Sequence, residues 1–231
     1  MDKAQKMRKL FSGVPDEYDR LLSRLTLRSD DEWRRSVIES SRIGKTAFVL
    51  DVATGTGLMA FDFARELNDQ GMVIGVDLCI PMLKKGTANK QQDGNGIVSF
   101  VAARAEALPF VDGFFDCATI TLALRNVTDP MVTFEEMTRV VKAGGSVVSM
   151  DFCRPQGLFR LIYYLHISYM LPFIGWCVSS EWEAIFDYLA GSIKKSMDPG
   201  NIRDLMCAVG LSSVTIRRLS RGIVSVVTGW R

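Results

Sequence analysis

Short runs of consecutive apolar residues alternate along the middle of the chain with segments whose apolar residues recur every three or four positions. The short runs predict buried strands, and the periodic segments predict amphipathic helices. Strands that alternate with helices indicate a parallel sheet with right-handed crossovers, so the pattern favours an α/β fold. Gly144 and Gly145 are expected to end the last helix of this series. The predicted strands are residues 47–52, 72–77, 98–102, 117–122 and 146–152, and the predicted helices are 58–67, 82–89 and 130–141.

The two ends of the chain carry other patterns. Residues 1–45 are predicted to be helical, with Trp33, Val37 and Ile38 on one face. The apolar segment 158–189 is expected to be mainly helical. The C-terminal pattern predicts one further helix, 201–209, and two antiparallel strands, 213–218 and 223–230.

One stretch needs a test for membrane insertion. Residues 161–178 read LIYYLHISYMLPFIGWCV and carry no formal charge over 18 residues, the lower length limit for a spanning helix. His166, Pro172, Gly175 and four hydroxyl-bearing side chains weigh against a spanning helix. We therefore expect a buried or interfacial helix here.

Charge and cysteine content indicate which cellular compartment and which partners to expect. The net charge of +2 gives no reason to expect a nucleic-acid partner. Residues 46–153 carry 8 basic and 13 acidic side chains, whereas residues 154–231 carry 9 and 5. This asymmetry is either ordinary scatter or an attraction of the chain ends to an anionic membrane. Five cysteines without a CxxC pair indicate a reduced compartment rather than a disulfide framework or zinc site. The N-terminus lacks the apolar core of a signal peptide, so we expect a cytoplasmic protein.

The first predicted strand runs into a glycine-rich turn with the sequence DVATGTG, residues 51–57. Asp77 ends the second strand, where a carboxylate can accept hydrogen bonds from ribose hydroxyls. Residues 55–60 also fit the GxGxxA fingerprint of dinucleotide-binding proteins. Asp51, four positions before the first glycine, would repel a pyrophosphate and favour the ammonium of S-adenosylmethionine. We therefore favour S-adenosylmethionine over a nicotinamide dinucleotide, with a purely structural tight turn as the remaining reading.

Other segments match a known sequence pattern more specifically than the glycine-rich turn does. These segments are FSGVPDEYD (11–19), a stretch ending in WRR (21–35), LDVATGTG (50–57), AEALPF (105–110), FDCATITLALRNV (115–127), VVKAGG (140–145), YLAGSIK (188–194) and GIVSVVTGWR (222–231). Through them the chain resembles the C-methyltransferases of ubiquinone and menaquinone biosynthesis over nearly its whole length. The LRNV and GIV…GW segments are specific to this family, whereas LDVATGTG is general to methyltransferases.

The resemblance implies a Rossmann-like class I methyltransferase fold, with a seven-stranded, mostly parallel sheet, an antiparallel last strand and helices on both faces. We predict one methyltransferase domain over residues 1–231. Within it, 1–45 form an N-terminal helical arm and 46–153 the cofactor-binding core. Residues 154–195 form an apolar helical insertion over the substrate site, and 196–231 the C-terminal helix and strand pair.

The turn and the resemblance together assign residues to S-adenosylmethionine. Arg104 departs from the family, which usually has Asp or Asn there to accept from the adenine amino group, and arginine has no acceptor. Either the backbone of Ala105 holds the adenine edge, or Glu106 takes over, or binding is weaker. Asp151 replaces a glutamate of the family. The predicted cofactor-binding residues are Asp51, Thr54, Gly55, Thr56, Gly57, Asp77, Leu78, Met82, Arg104, Ala105, Glu106 and Thr121.

The predicted catalytic residues are Arg125, Asn126 and Tyr18. Arg125 follows strand four and is expected to stabilise a phenolate, or else to pair structurally with Asp129 or Asp151. Asn126 is expected to orient the same ring hydroxyl or to cap the following segment. Tyr18, beside Asp19, lies in the arm, which we expect to act as a lid, with a helix-terminus hydrogen bond as the alternative. His166, the only histidine, is either a base or a core residue.

The function implied by the resemblance is methyl transfer from S-adenosylmethionine, without a metal, to a ring carbon of a prenylated quinol. The acceptor is a demethylmenaquinol or a ubiquinol precursor, and the product is S-adenosylhomocysteine. Two alternatives stay open: a methyltransferase for another lipophilic aromatic compound, and a noncatalytic cofactor-binding subunit of a quinone-synthesis complex. The partners are the quinol and the inner membrane surface; a homodimer is one option for the oligomeric state. Core packing, a tunnel for the prenyl tail, or contact with the bilayer explains the apolar residues Phe159, Leu161, Ile162, Tyr163, Tyr164, Tyr169, Met170 and Phe173.

Overall fold

The computed structural model describes residues 3–13, 26, 29–93, 96–155, 163–170, 173, 176 and 180–231. A seven-stranded sheet with the order β3-β2-β1-β4-β5-β7-β6 forms its centre. The strands are β1 Phe48–Val52, β2 Met72–Asp77, β3 Val98–Ala102, β4 Phe115–Thr121, β5 Val141–Phe152, β6 Ser212–Leu219 and β7 Val224–Trp230.

The direction of the strands follows the prediction. Neighbouring strands among β1 to β5 pair in parallel, and β7 runs antiparallel to both β5 and β6. The chain order reverses between β1 and β4, which lie side by side at the centre of the sheet. At such a switch point the connections diverge to opposite faces, and a crevice opens at the carboxyl ends of the strands.

Helices cover both faces of the sheet. Alternation along a strand separates two cores, since Val49 of β1 belongs to one apolar cluster and Leu50 to the other. The second and third helices contribute to the first cluster, and the fifth and seventh to the other. The described helices are α1 Lys3–Phe11, α2 Ser29–Ser41, α3 Leu58–Glu66, α4 Ile80–Asp93, α5 Pro130–Val140, α6 Ser180–Lys194 and α7 Pro199–Ala208.

The predicted start of β5 at residue 146 is wrong, whereas the other predicted strand ends agree with the structure to within about two residues. Gly144 and Gly145 do not end a helix but lie inside β5, which begins directly after α5. The register of β5 against β4 shifts near its start, between Phe115 and Cys117. A Cβ on Gly145 would lie 2.6 Å from the carbonyl oxygen of Asp116. The glycines therefore allow two backbones to approach at an irregular point of the sheet.

Part of the apolar segment is described. Residues 163–165 are helical, and a π-helical turn, His166–Met170, follows them. Among the residues that the structure describes, no helix has the length and apolar character needed to cross a membrane. The remaining residues of the stretch 161–178, apart from 173 and 176, lie outside the described residues.

Candidate active site

A cavity opens at the carboxyl ends of the central strands. The loops that follow β1, β2, β3 and β4 line it, and helix α1 and the start of α2 close it from the arm side. Ten of the twelve residues predicted to bind the cofactor line this cavity: Thr54, Gly55, Thr56, Asp77, Leu78, Met82, Arg104, Ala105, Glu106 and Thr121.

The glycine-rich turn follows β1 and bends through three residues with positive φ: Ala53 at 56°, Gly55 at 58° and Gly57 at 90°. A Cβ on Gly55 would have no atom within 4 Å, so this position presents bare backbone. A Cβ on Gly57 would lie 2.7 Å from the Cζ of Phe100. Gly57 does not line the cavity, and it serves instead to pack the turn against β3.

Asp77 connects two of the loops that line the cavity. Its Oδ2 accepts from the backbone N–H of Gly55 at 2.8 Å, and its Oδ1 accepts from the backbone N–H of Cys79 at 2.7 Å. Burial raises the pKa of Asp77, while these backbone donors act in the opposite direction. Each carboxylate oxygen can accept a second hydrogen bond, so Asp77 remains able to receive ribose hydroxyls.

Asp51, one of the predicted cofactor-binding residues, lies beneath the glycine-rich turn and not in the cavity wall. Its side chain is fully buried. Oδ2 accepts from the Thr54 hydroxyl at 2.6 Å and Oδ1 from the Thr119 hydroxyl at 3.0 Å. Burial raises the pKa of Asp51 to about 7. One oxygen therefore holds the turn from below and the other is bound by Thr119 of β4, and the preference of this carboxylate for an ammonium group stays a prediction.

Arg104 and Glu106 form a network at the rim of the cavity. The Arg104 guanidinium donates to the Thr128 hydroxyl at 3.2 Å and pairs with Glu106 at 3.5 Å. Glu106 also accepts from the backbone N–H of Thr128 at 2.6 Å. Burial acts to raise the pKa of Glu106, but these backbone donors and Arg104 outweigh it, and the pKa is lowered. Since Glu106 is occupied in this way, the backbone of Ala105 is the better candidate for the adenine edge.

Arg125 does not line this cavity. It forms a buried ion pair with Asp151, donates to the carbonyl of Leu122 at 2.6 Å, and donates to the Ser192 hydroxyl at 3.3 Å. Its guanidinium also lies 5.2 Å from the ring centroid of Phe152. The position supports the alternative of structural pairing, with Asp151 and not Asp129, over direct contact with an acceptor in this cavity.

Asn126, the next residue, faces the cavity that holds the predicted cofactor residues. Its Oδ1 accepts from the Tyr188 hydroxyl of α6 at 2.9 Å. Arg125 and Tyr188 line a second cavity, whose rim carries the lysines Lys3, Lys6 and Lys195. The single 3₁₀ turn Leu124–Asn126 therefore separates two cavities.

The arm contributes residues that the sequence analysis missed. Met7, Arg8 and Phe11 of α1 line the cavity together with Asp30 and Arg34 of α2. Helical periodicity in residues 1–45 was the only available signal, and it does not say which sheet edge the helices cover. Tyr18 and Asp19 lie outside the described residues.

Among the described residues, no group of three or more His, Cys, Asp or Glu side chains is arranged to hold a metal ion. Cys79, which lines the cavity, is free, as are Cys117, Cys153 and Cys207. Cys177 lies outside the described residues.

Solved structures share this architecture. A SAM-dependent methyltransferase from Aquifex aeolicus aligns with a TM-score of 0.66 at 15% identity, over 94% of this chain and 97% of that chain. A SAM-dependent methyltransferase from Thermotoga maritima, described as a possible histamine N-methyltransferase, aligns with a TM-score of 0.68 at 18% identity, over 97% and 99% of the two chains. At these identities the similarity shows the fold alone, which is the predicted class I fold.

Sequence relatives cover the whole chain. The ubiquinone/menaquinone biosynthesis C-methyltransferase UbiE of Edwardsiella ictaluri is 36% identical over 232 residues, which cover 100% of this chain and 92% of that protein. The protein of the same name from Serratia proteamaculans is 36% identical over 224 residues, 96% of this chain and 89% of that protein. A family model described as the ubiE/COQ5 methyltransferase family matches residues 1–231. The chain therefore belongs to the ubiE/COQ5 methyltransferase family.

Proposed function

We propose that this protein transfers a methyl group from S-adenosylmethionine to a ring carbon of a prenylated quinol and releases S-adenosylhomocysteine. One observation carries the proposal: a single cavity is lined by the glycine-rich turn and Asp77 on one side and by Asn126 on the other. The same cavity thus offers a cofactor cradle and a polar group for an acceptor. The UbiE relatives, which match the chain over its length, support the quinol as the acceptor.

The residues fit S-adenosylmethionine. Asp77 would accept from the ribose hydroxyls, the backbone of Ala105 would meet the adenine edge, and the bare backbone at Gly55 would face the amino-acid part. When bound, the cofactor supplies an electrophilic methyl group on its sulfonium. The chain must place the acceptor carbon in line with the carbon–sulfur bond and stabilise the phenolate that makes this carbon nucleophilic.

A turnover assay tests the proposal. Purified protein is mixed with methyl-labelled S-adenosylmethionine and, in separate reactions, a reduced demethylmenaquinone, a reduced ubiquinone precursor and a quinol without a prenyl tail. We expect the label to appear on the ring of at least one prenylated quinol. Methylation of the tail-less quinol alone would favour another lipophilic aromatic substrate. Cofactor binding without turnover on any quinol would favour a noncatalytic subunit.

We further propose that the protein docks on a membrane surface, where prenylated quinols reside. Several large apolar side chains of the insertion are exposed, and the rings of Phe173 and Trp176 lie 6.1 Å apart. A neighbouring excess of basic residues, 9 against 5 acidic over 154–231, would add electrostatic attraction to anionic lipids. The exposed side chains are Leu165, Tyr169, Met170, Phe173 and Trp176, with 52–72% of their surface accessible.

Flotation with liposomes tests the docking proposal. We expect binding to anionic vesicles that weakens at high salt, and little binding to neutral vesicles. The double variant Phe173→Ser/Trp176→Ser should float less well at both salt concentrations. Val111→Ser removes an equally exposed apolar side chain from the loop between β3 and β4, outside the insertion, and should float like the wild type. Absence of the wild type from the floated fraction would refute docking and leave the methyltransferase proposal intact.

A further inference from the structure

A hydrogen bond crosses the wall between the two cavities. The Tyr188 hydroxyl donates to Asn126 Oδ1 at 2.9 Å. Asn126 lines the cavity with the predicted cofactor residues, and Tyr188 lines the lysine-rimmed cavity. The two residues are 62 positions apart in sequence, so the contact joins α6 to the turn after β4.

The backbone of the turn is already fixed without Tyr188. The N–H of Asn126 donates to the carbonyl of Ala123 at 2.7 Å, and the preceding residue, Arg125, is held by Asp151 and Ser192. What remains free is the rotation of the Asn126 amide, whose oxygen and nitrogen differ in hydrogen-bonding character. The Tyr188 hydroxyl restricts this rotation, because its hydrogen bond forms only while Oδ1 of Asn126 faces Tyr188.

The chemistry of the tyrosine makes it the donor. Burial raises the pKa of Tyr188, and the nearby charge of Arg125 only partly offsets this effect. Tyr188 therefore keeps its proton at neutral pH. Because Oδ1 accepts a hydrogen bond from this hydroxyl, turning the oxygen toward the cavity would break that bond. The two N–H donors of the Asn126 amide remain available to a ligand.

We infer that Tyr188 is a positioning residue for methyl transfer: it orients the Asn126 amide so that its N–H groups face the ring oxygen of the acceptor. This inference rests on the proposed function, in which negative charge develops on that oxygen. Donors that are fixed before the reaction stabilise such charge more effectively than donors that must reorient. Tyr188 is the first residue of the segment 188–194, one of those that carry the family resemblance.

Steady-state kinetics of three variants test the inference. Tyr188→Phe keeps the ring and removes the donor. We expect a kcat about 10-fold lower, which corresponds to an activation barrier raised by about 1.4 kcal/mol. The KM for quinol and the affinity for S-adenosylhomocysteine should change less than twofold. Asn126→Ala should lower kcat at least as much. The double variant should match Asn126→Ala, because Tyr188 acts only through Asn126.

A matched control and a second substitution separate positioning from a structural role. Thr87→Val removes a side-chain hydroxyl of α4 that donates to the carbonyl of Leu83 at 2.9 Å and lines neither cavity, and it should keep the wild-type kcat. Asn126→Asp still accepts from Tyr188 but presents an acceptor to the ring oxygen. Its kcat relative to the wild type should therefore be lowest at high pH and should recover as the carboxyl group is protonated.

The outcomes distinguish the inference from the proposed function. No turnover by the wild type on any quinol overturns the proposed function and the inference with it. Wild-type turnover with an unchanged kcat in Tyr188→Phe overturns the inference alone. Additive losses in the double variant, or a lower melting temperature that accounts for the lost activity, also overturn it.

Discussion

Asp51 and Asp77 lie near the carboxyl ends of neighbouring strands. They differ in burial, and we infer that they therefore differ in function. Asp77 lines the cavity and reaches the backbone of two loops. Asp51 is fully buried below the turn, out of reach of the cavity, and accepts from Thr54 and Thr119. Asp77 is therefore the carboxylate available to a ligand, and Asp51 supports the turn that the ligand contacts.

Asp77→Ala should weaken the binding of S-adenosylhomocysteine by about 10- to 100-fold. A hydrogen bond to a charged group contributes roughly 1.5–3 kcal/mol, and the variant also loses the tie between the Gly55 and Cys79 loops. Titration calorimetry measures the change. Asp69→Ala alters an exposed carboxylate in the turn before β2 and should bind like the wild type. An unchanged affinity in Asp77→Ala would refute the ribose contact.

Asp51→Asn should change how stability depends on pH. The pKa of Asp51 is about 7 in the folded protein and about 3.8 as an ordinary carboxyl group, so the folded state binds a proton more tightly than the unfolded state. The resulting contribution to stability is complete below pH 4 and is lost as pH rises through 7. Its full span is about 4 kcal/mol, at 1.36 kcal/mol per pKa unit.

Urea unfolding at pH 5 and pH 8 tests this expectation. The wild type should lose more stability than Asp51→Asn between the two pH values, because asparagine does not ionise and still hydrogen-bonds with Thr54 and Thr119. Parallel changes in the two proteins would show that Asp51 does not titrate in this range. The charge of Asp77 acts to raise the pKa of Asp51, so the difference between the two proteins includes this coupling.

At the scale of elements, Arg125 connects the turn after β4 to β5 and α6. It does so through Asp151 and Ser192, and the side chains of the ion pair are only 8% and 4% exposed. The turn must carry Asn126 into the cavity while α6 supplies Tyr188 from the other side. We interpret the buried pair as the anchor that sets the distance between these elements.

Arg125→Ala should lower the free energy of unfolding by about 3–5 kcal/mol, because it leaves the carboxylate of Asp151 buried without a partner. Arg125→Lys should recover this only in part, since a single ammonium cannot reproduce the contacts with both Leu122 and Ser192. Urea denaturation measures the loss. Arg217→Ala, which breaks an exposed pair with Glu39, is the control with little expected effect. A stable Arg125→Ala protein with a lowered kcat would restore the direct catalytic role.

At the scale of the whole molecule, helix α1 comes from the far N-terminal end of the chain and closes a cavity built by the sheet loops. Met7, Arg8 and Phe11 line the same space as Asp77. The Cys79 thiol donates toward the carbonyl of Arg8 at 3.9 Å and so links the arm to the loop after β2. A ligand in this cavity would contact the arm and the sheet together.

Cofactor binding should therefore slow amide hydrogen exchange in α1. A ligand that binds the closed form stabilises it by mass action, by about 2.7 kcal/mol at a concentration 100 times the dissociation constant. Exchange measured with and without S-adenosylhomocysteine should show added protection in residues 3–13. Residues 212–222, at the far end of the sheet, serve as an internal control. Equal exchange of α1 in both samples would show that the arm does not close over the ligand.

The sequence determined the elements whose signals are local. Apolar runs and helical periodicity gave the order of strands and helices, and the turn after β1 and Asp77 at the end of β2 indicated the cofactor edge, because parallel strands end at a common edge. The tertiary structure decided what depends on distant partners. Burial beneath the turn moved Asp51 out of the cavity, and Asp151 drew Arg125 into an ion pair. Tyr188 reached Asn126 from 62 residues away. Hydrogen-bonding partners and burial are set by packing between elements, and one residue's neighbours in sequence do not specify them.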